Sequence, residues 1–196
     1  MVASPAAQFP LAQRLRTPAG APLGDVFSFV SGLYFRGKLA YARRFACAPD
    51  PADALVAGGV PVMTPSAGLR AAETPVTLES LLAFAAVDID LANPEYRQPM
   101  ERAARAVCDA VGPDCEVVLL GSIASGKYVE LLLPIFGERL MFPSAFVGRG
   151  DMSRGGLMLR CAESGEELEY VAVDGRIHRG VRPPRLEPKK RVRPGR

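Results

Sequence analysis

Three times along this chain a short apolar stretch runs through a cluster of small residues into a segment with helical spacing. The stretch "DVFSFVS" (residues 25–31) leads into "GLYFRGKLAYARRFA". The stretch "GVPVMTPSAGL" precedes "TLESLLAFAAV". The stretch "EVVLL" (residues 116–120) passes through "GSIASGK" into "KYVELLLPIFG". Short, β-branched or aromatic apolar runs bounded by Gly, Ser and Pro read as buried strands. Strands that alternate with helices constrain the chain to an α/β domain, layered around a mostly parallel central sheet.

Punctuation fills in the rest. Leu33, Leu39, Ala42 and Ala46 predict a helix despite Gly37, which costs about 1 kcal/mol relative to Ala. Thr77 is the expected N-cap of the next helix, with Ser80 where a capping box places Glu or Gln. The strongest helix signal is "NPEYRQPMERAARAVCDAVG" (residues 93–112), with Asn93 as cap, Pro94 in first position and Gly112 at the end. Pro99 is expected to break its first turns, so regular helix begins near Met100. "RLMFP" reads as a strand, "AFVGRGDMSRGG" as a loop, and "LMLRCAESGEELEYVAV" as a β-hairpin turning at Glu-Ser-Gly-Glu. The chain thus divides into an Ala- and Pro-rich arm (1–24), one α/β domain (25–175) and a flexible basic, Pro-rich tail (176–196).

Cysteine and histidine usage removes whole classes of chemistry. Cys47, Cys108, Cys115 and Cys161 form no C-x-x-C pair, and His178 is the single histidine. A zinc site would have to gather ligands from far apart, and most Ser-His-Asp and Cys-His schemes lack a base. No metal and no cofactor are expected. No apolar run reaches the roughly 20 residues that span a bilayer, and the N-terminus lacks the pattern of a secretory signal. The expectation is a cytoplasmic protein without a membrane partner. Residues 176–196 hold nine Lys or Arg against Glu187 alone, so that +8 in the tail leaves −5 on the rest of a chain of net charge +3.

Three stretches are candidate sites. From Gly121 to Lys127 the chain meets the spacing G-x-x-x-x-G-K, but Tyr128 stands where a Ser or Thr would hold magnesium. A true nucleotidase loop is therefore not expected. A milder reading keeps Gly121, Ser122, Ser125, Gly126 and Lys127 as a phosphate-binding turn, since N–H groups at a helix start favour anions. The alternative is a tight turn with a solvated lysine. In "FVGRGDMSRGG", Arg149 and Arg154 could clamp a phosphate or carboxylate, with Asp151 as acid–base residue. A surface loop with an Arg–Asp pair is the alternative. The other loops place Ser31 and Gly32 with Arg36 and Lys38, and Ser66 with Gly68, at the same edge if the sheet is parallel. Asp88 and Asp90 could serve acid–base chemistry or cap the helix that follows.

The order of "GLYFRGKLAYARRF", "VMTPSAGL" and "VVLLGSIASGKYVELLLPIFG" resembles uncharacterised bacterial α/β proteins related to the uracil-DNA-glycosylase-like domains of tRNA deazaguanine-modifying enzymes. The resemblance covers residues 26–137. It departs at two points: Val30-Ser31-Gly32-Leu33 replaces a Cys-Ser-x-x-Lys motif, and Ala67 replaces a lysine. The resemblance implies a nucleotide- or nucleobase-oriented α/β fold without carrying catalytic roles over. Together these readings lead to an enzyme or ligand-binding protein for a phosphate-bearing small molecule or nucleotide, acting if at all at a glycosidic or phosphate bond. The alternative is a non-enzymatic nucleic-acid- or ribosome-associated protein that binds weakly through its tail.

Overall fold

The computed structural model of the protein describes residues 2–53, 56–123, 126–173, 183, 184 and 186. Residues 2–24, expected as an arm, are packed. Helix α1 (Pro10–Leu15) buries Ala12 and Leu15. Strand β1 (Ala21–Pro22) leads directly into helix α2 (Leu23–Val30). The stretch expected as the first strand is therefore helical. Leu23, Val26 and Phe27 recur at helical spacing and turn inward, which a two-residue alternation could not achieve. Gly32, at φ 65°, breaks the chain between α2 and helix α3 (Gly32–Phe45).

Strands β2 (Pro61–Thr64) and β3 (Gly68–Ala71) pair antiparallel as a hairpin. "TPSAG" is the hairpin turn, in which Thr64 Oγ1 accepts from Ala67 N at 3.0 Å and donates to Gly68 O at 2.8 Å. Strand β4 (Pro75–Val76) pairs antiparallel with β1. Helix α4 (Leu78–Ala85) starts at the expected Thr77, and Ser80 completes the capping box. Helix α5 (Pro94–Val111) has the expected Asn93 cap, Pro94 start and Gly112 stop. It does not begin near Met100: it runs through Pro99, which lies early enough to cost one intrahelical bond without ending the helix.

Strand β5 (Val117–Val118), helix α6 (Gly126–Phe136) and strand β6 (Leu140–Pro143) make one parallel crossover. Helix α7 (Asp151–Ser164) follows, then strand β7 (Tyr170–Ala172), antiparallel to β6. The expected C-terminal hairpin is thus a helix and one strand. Arg154, Gly155, Met158 and Cys161 are buried at helical spacing, and Gly165, at φ 76°, caps the helix instead of turning a hairpin. The expected loop at Asp151 to Gly156 is the first turn and a half of that helix.

The molecule is mixed α/β, but among the described residues the mostly parallel central sheet does not form. Two of the three sheets found there are two-stranded and antiparallel, and the third has order β5-β6-β7 with one parallel pair. Of the tail, only Pro183, Pro184 and Leu186 are described, with Leu186 beside Gly156 of α7. The expectations for its flexibility and for His178 lie outside the described residues. Among the described residues no helix is long and apolar enough to cross a membrane.

Candidate functional site

Helix α3 organises the site. Ser31 at its start, then Phe35, Lys38, Ala42 and Phe45, recur every three or four residues and line a cavity of about 500 Å³. That size is within the range of small-molecule sites. The hairpin contributes Val62 and Met63, α5 contributes Val107 and Val111, and β5 contributes Val117 and Val118. Gly121 and Tyr128 line the cavity from the turn and first coil of α6.

Lys38 carries the positive charge of this wall. It is half-buried, its Nζ lies 4.1 Å from the Tyr34 ring centroid, and no carboxylate among the described residues forms an ion pair with it. Burial pulls its amine down to about 8; Asp151 works against this shift and Arg154 adds to it. Burial also raises the Tyr34 and Tyr128 phenols, and Asp151 contributes to both. Asp151 of α7 therefore acts electrostatically on Tyr34 and Lys38 of α3 and on Tyr128 of α6. The Tyr34 hydroxyl donates to Leu120 O at 3.3 Å, which ties α3 to the end of β5.

The expected site residues divide. Gly121 is buried in the cavity wall, where a Cβ would lie 3.0 Å from Leu119 Cδ1. Ser122 is half-buried beside it, and Ser125 lies outside the described residues. Gly126 opens α6, and the Glu130 carboxylate folds back against it. A carboxylate thus lies where an anion bound to this helix start would need room. Lys127 Nζ lies 5.4 Å from the Tyr128 ring centroid. Arg149 Nε donates to Ala145 O at 3.0 Å and Nη1 to Ser153 Oγ at 3.2 Å, so its fork is spent on local structure. Arg154 is 8% exposed, donates to Phe146 O at 3.2 Å and approaches Asp151 at 3.8 Å. It positions Asp151 and Tyr34 and does not face an open clamp. The fold therefore brings Asp151 and Arg154 within electrostatic reach of Lys38, which shares the cavity wall with Gly121.

The Ser66 turn and the Asp88–Asp90 stretch do not join them. Gly68 presses against Pro99 and Ala103 of α5, so the Ser66 turn is a packing device. Asp88 and Asp90 are exposed; the Asp88 carbonyl accepts from Asn93 Nδ2 and the Asp90 carboxylate from Ala92 N, which orders the turn before α5. Cys47 and Cys115 line the cavity as free thiols, Cys108 is half-buried and Cys161 buried. Among the described residues no cluster of His, Cys, Asp or Glu is placed to hold a metal.

Sequence reasoning weighed Lys38 only as a cation near a helix start, and missed Tyr34. The i, i+4 spacing of Tyr34 and Lys38 was the available signal. Tyr128 was legible only as a misfit to the magnesium position, yet it forms part of the cavity wall. A second polar group was invisible. Tyr41 OH lies 2.7 Å from Tyr170 OH, Leu168 N donates to Tyr41 OH at 2.8 Å, and Tyr170 OH donates to Glu167 Oε1 at 2.6 Å. These residues are about 127 positions apart in sequence, and no local pattern joins them. The chain matches no protein-family model, no curated protein and no solved structure.

Proposed function

We propose that this chain binds a phosphate-bearing small molecule of nucleotide size in the α3 cavity, with Lys38 as the anion anchor. The observation that carries the reading is a half-buried ammonium on the cavity wall without a carboxylate partner among the described residues. A partly desolvated charge without an ion-pair partner is costly even with Asp151 acting on it, and an incoming anion offsets that cost. Gly121 keeps the wall beside it free of a side chain, while Phe35, Phe45 and the valines supply apolar surface for the body of the ligand. In this reading the anchor moves from the first turn of α6 to α3. Asp151, the carboxylate that acts on Lys38, is the acid–base group if the ligand is turned over at a glycosidic or phosphate bond.

Calorimetric titration at pH 7 tests this with cytidine and adenosine monophosphates, ribose 5-phosphate and inorganic phosphate. Wild-type protein is expected to bind at least one nucleotide, and Lys38→Met to weaken it tenfold or more while thermal melting confirms a folded variant. Equal affinity in the two proteins, or no binding of any probe, overturns the proposal. Asp151→Asn separates binding from turnover, because it is expected to retain the ligand.

A further inference from the structure

The Tyr41–Tyr170–Glu167 group lines the same cavity as Lys38, and its hydrogens have a fixed direction. Tyr170 donates its proton to the Glu167 carboxylate, which has none to give. The proton between the two phenols must then come from Tyr41, which accepts in turn from the Leu168 N–H. Every hydrogen in the chain Leu168 N–H to Tyr41 to Tyr170 to Glu167 is committed. The group therefore offers only acceptor lone pairs, among them those of the Glu167 carboxylate, a residue that lines the cavity. Burial and the bond to Glu167 push the Tyr170 phenol far above its ordinary range, and burial raises Tyr41, so this polarity holds across physiological pH.

Lys38 supplies the opposite polarity. It can donate but not accept. Tyr41 follows it by three residues on α3, about 4.5 Å along the helix axis. One ligand can meet both groups only with an acceptor or anion at one place and an N–H donor at another. We propose that Glu167 and Tyr170 determine specificity, selecting a ligand whose ring carries an amino group over the same ligand with an oxo group. The inference rests on the anion-anchor reading of Lys38. An oxo group facing Glu167 would set one acceptor against another and forfeit the hydrogen bond that an amino group makes there.

Cytidine and uridine monophosphates differ in this feature, as do adenosine and inosine monophosphates. The full chain is titrated with all four at pH 7, alongside Glu167→Gln, Tyr170→Phe and Lys38→Met. Wild-type protein is expected to bind each amino member at least tenfold more tightly than its oxo partner. Glu167 is exposed, so Glu167→Gln is expected to fold normally; its amide can donate or accept, and the ratio is expected to fall to about threefold or less. Tyr170→Phe is expected to narrow the ratio too, by freeing the Tyr41 proton. If amino and oxo members bind equally, or Glu167→Gln keeps the full ratio, the inference is overturned, while Lys38-dependent binding leaves the anchor standing. If none of the four binds, the inference is overturned, and the anchor reading falls with it when ribose 5-phosphate and inorganic phosphate also fail to bind.

Discussion

Tyr96 is 2% exposed, and its hydroxyl has no hydrogen-bond partner among the described residues. Burial pushes the phenol up to about 12. A buried hydroxyl without a partner contributes its desolvation penalty and nothing in return. Tyr96→Phe is therefore expected to be neutral or to stabilise by up to about 1 kcal/mol, where loss of a typical hydrogen bond would destabilise by about that amount; urea denaturation distinguishes the two. Lys38 gives a pH-dependent counterpart. Its folded value of about 8 is below the ordinary 10.5, so between those values the unfolded chain binds more protons and stability rises with pH. Below about 8 the folded state bears the full cost of the half-buried charge. Lys38→Met is expected to raise the melting temperature at pH 7 and to lose that advantage toward pH 10. An advantage that is constant with pH would show that packing, not charge, is responsible. For the proposed anchor the same titration predicts that anion affinity falls between pH 7 and 9, earlier than for an ordinary lysine.

Among the elements, α3 and α7 share the most extensive helix–helix contact. Gly37 and Gly155 make it possible. A Cβ on Gly37 would lie 2.8 Å from Gly155 Cα, and one on Gly155 would lie 2.8 Å from Tyr34 Cα. The glycine that looked like a propensity cost of about 1 kcal/mol is the crossing point of the two helices that hold Lys38 and Asp151. Overpacking a close contact costs about 1–3 kcal/mol, enough to outweigh the propensity gain. Gly37→Ala is expected to destabilise despite that gain, and to weaken binding of the proposed ligand by displacing Lys38 on α3; a stabilised variant would contradict the crossing. At α4, Ser80 N donates to Thr77 Oγ1 at 3.3 Å. Thr77→Ala is expected to cost about 1 kcal/mol in chemical denaturation. This cap, Asn93 and Gly112 were readable because capping is local chemistry. The α2 stretch and α7 were not, because short apolar runs fit either period and Gly-rich segments also form helix crossings.

At the scale of the whole molecule the β2–β3 hairpin joins two hydrophobic clusters. Val62 packs with α1, α2 and α4 residues, whereas Leu69 packs with those of α5 and α6. A third cluster, with Tyr41, Phe146, Met158 and Cys161, lies between α3 and α7. The shared hairpin makes the clusters one cooperative unit, so Val62→Ala and Leu69→Ala are each expected to shift a single calorimetric transition, by about 2 kcal/mol or more. Two separating transitions would show independent halves. What the sequence determined by itself is the set of local decisions: where α3, α4 and α5 run, where β2 and β6 run, and that Cys and His are too sparse for the common metal and triad chemistries. These follow from capping, backbone freedom and residue type, which act within a few positions. Tertiary structure alone decided that 25–31 is helical, that the sheets stay small, and that Arg149 and Lys127 turn to their own neighbours. It also decided that Lys38, Tyr128 and the Tyr41–Tyr170–Glu167 group meet around one cavity, with Asp151 acting on Lys38 and Tyr128 from α7. Those outcomes depend on burial and charge compensation between residues as much as about 129 positions apart, which no short-range pattern encodes.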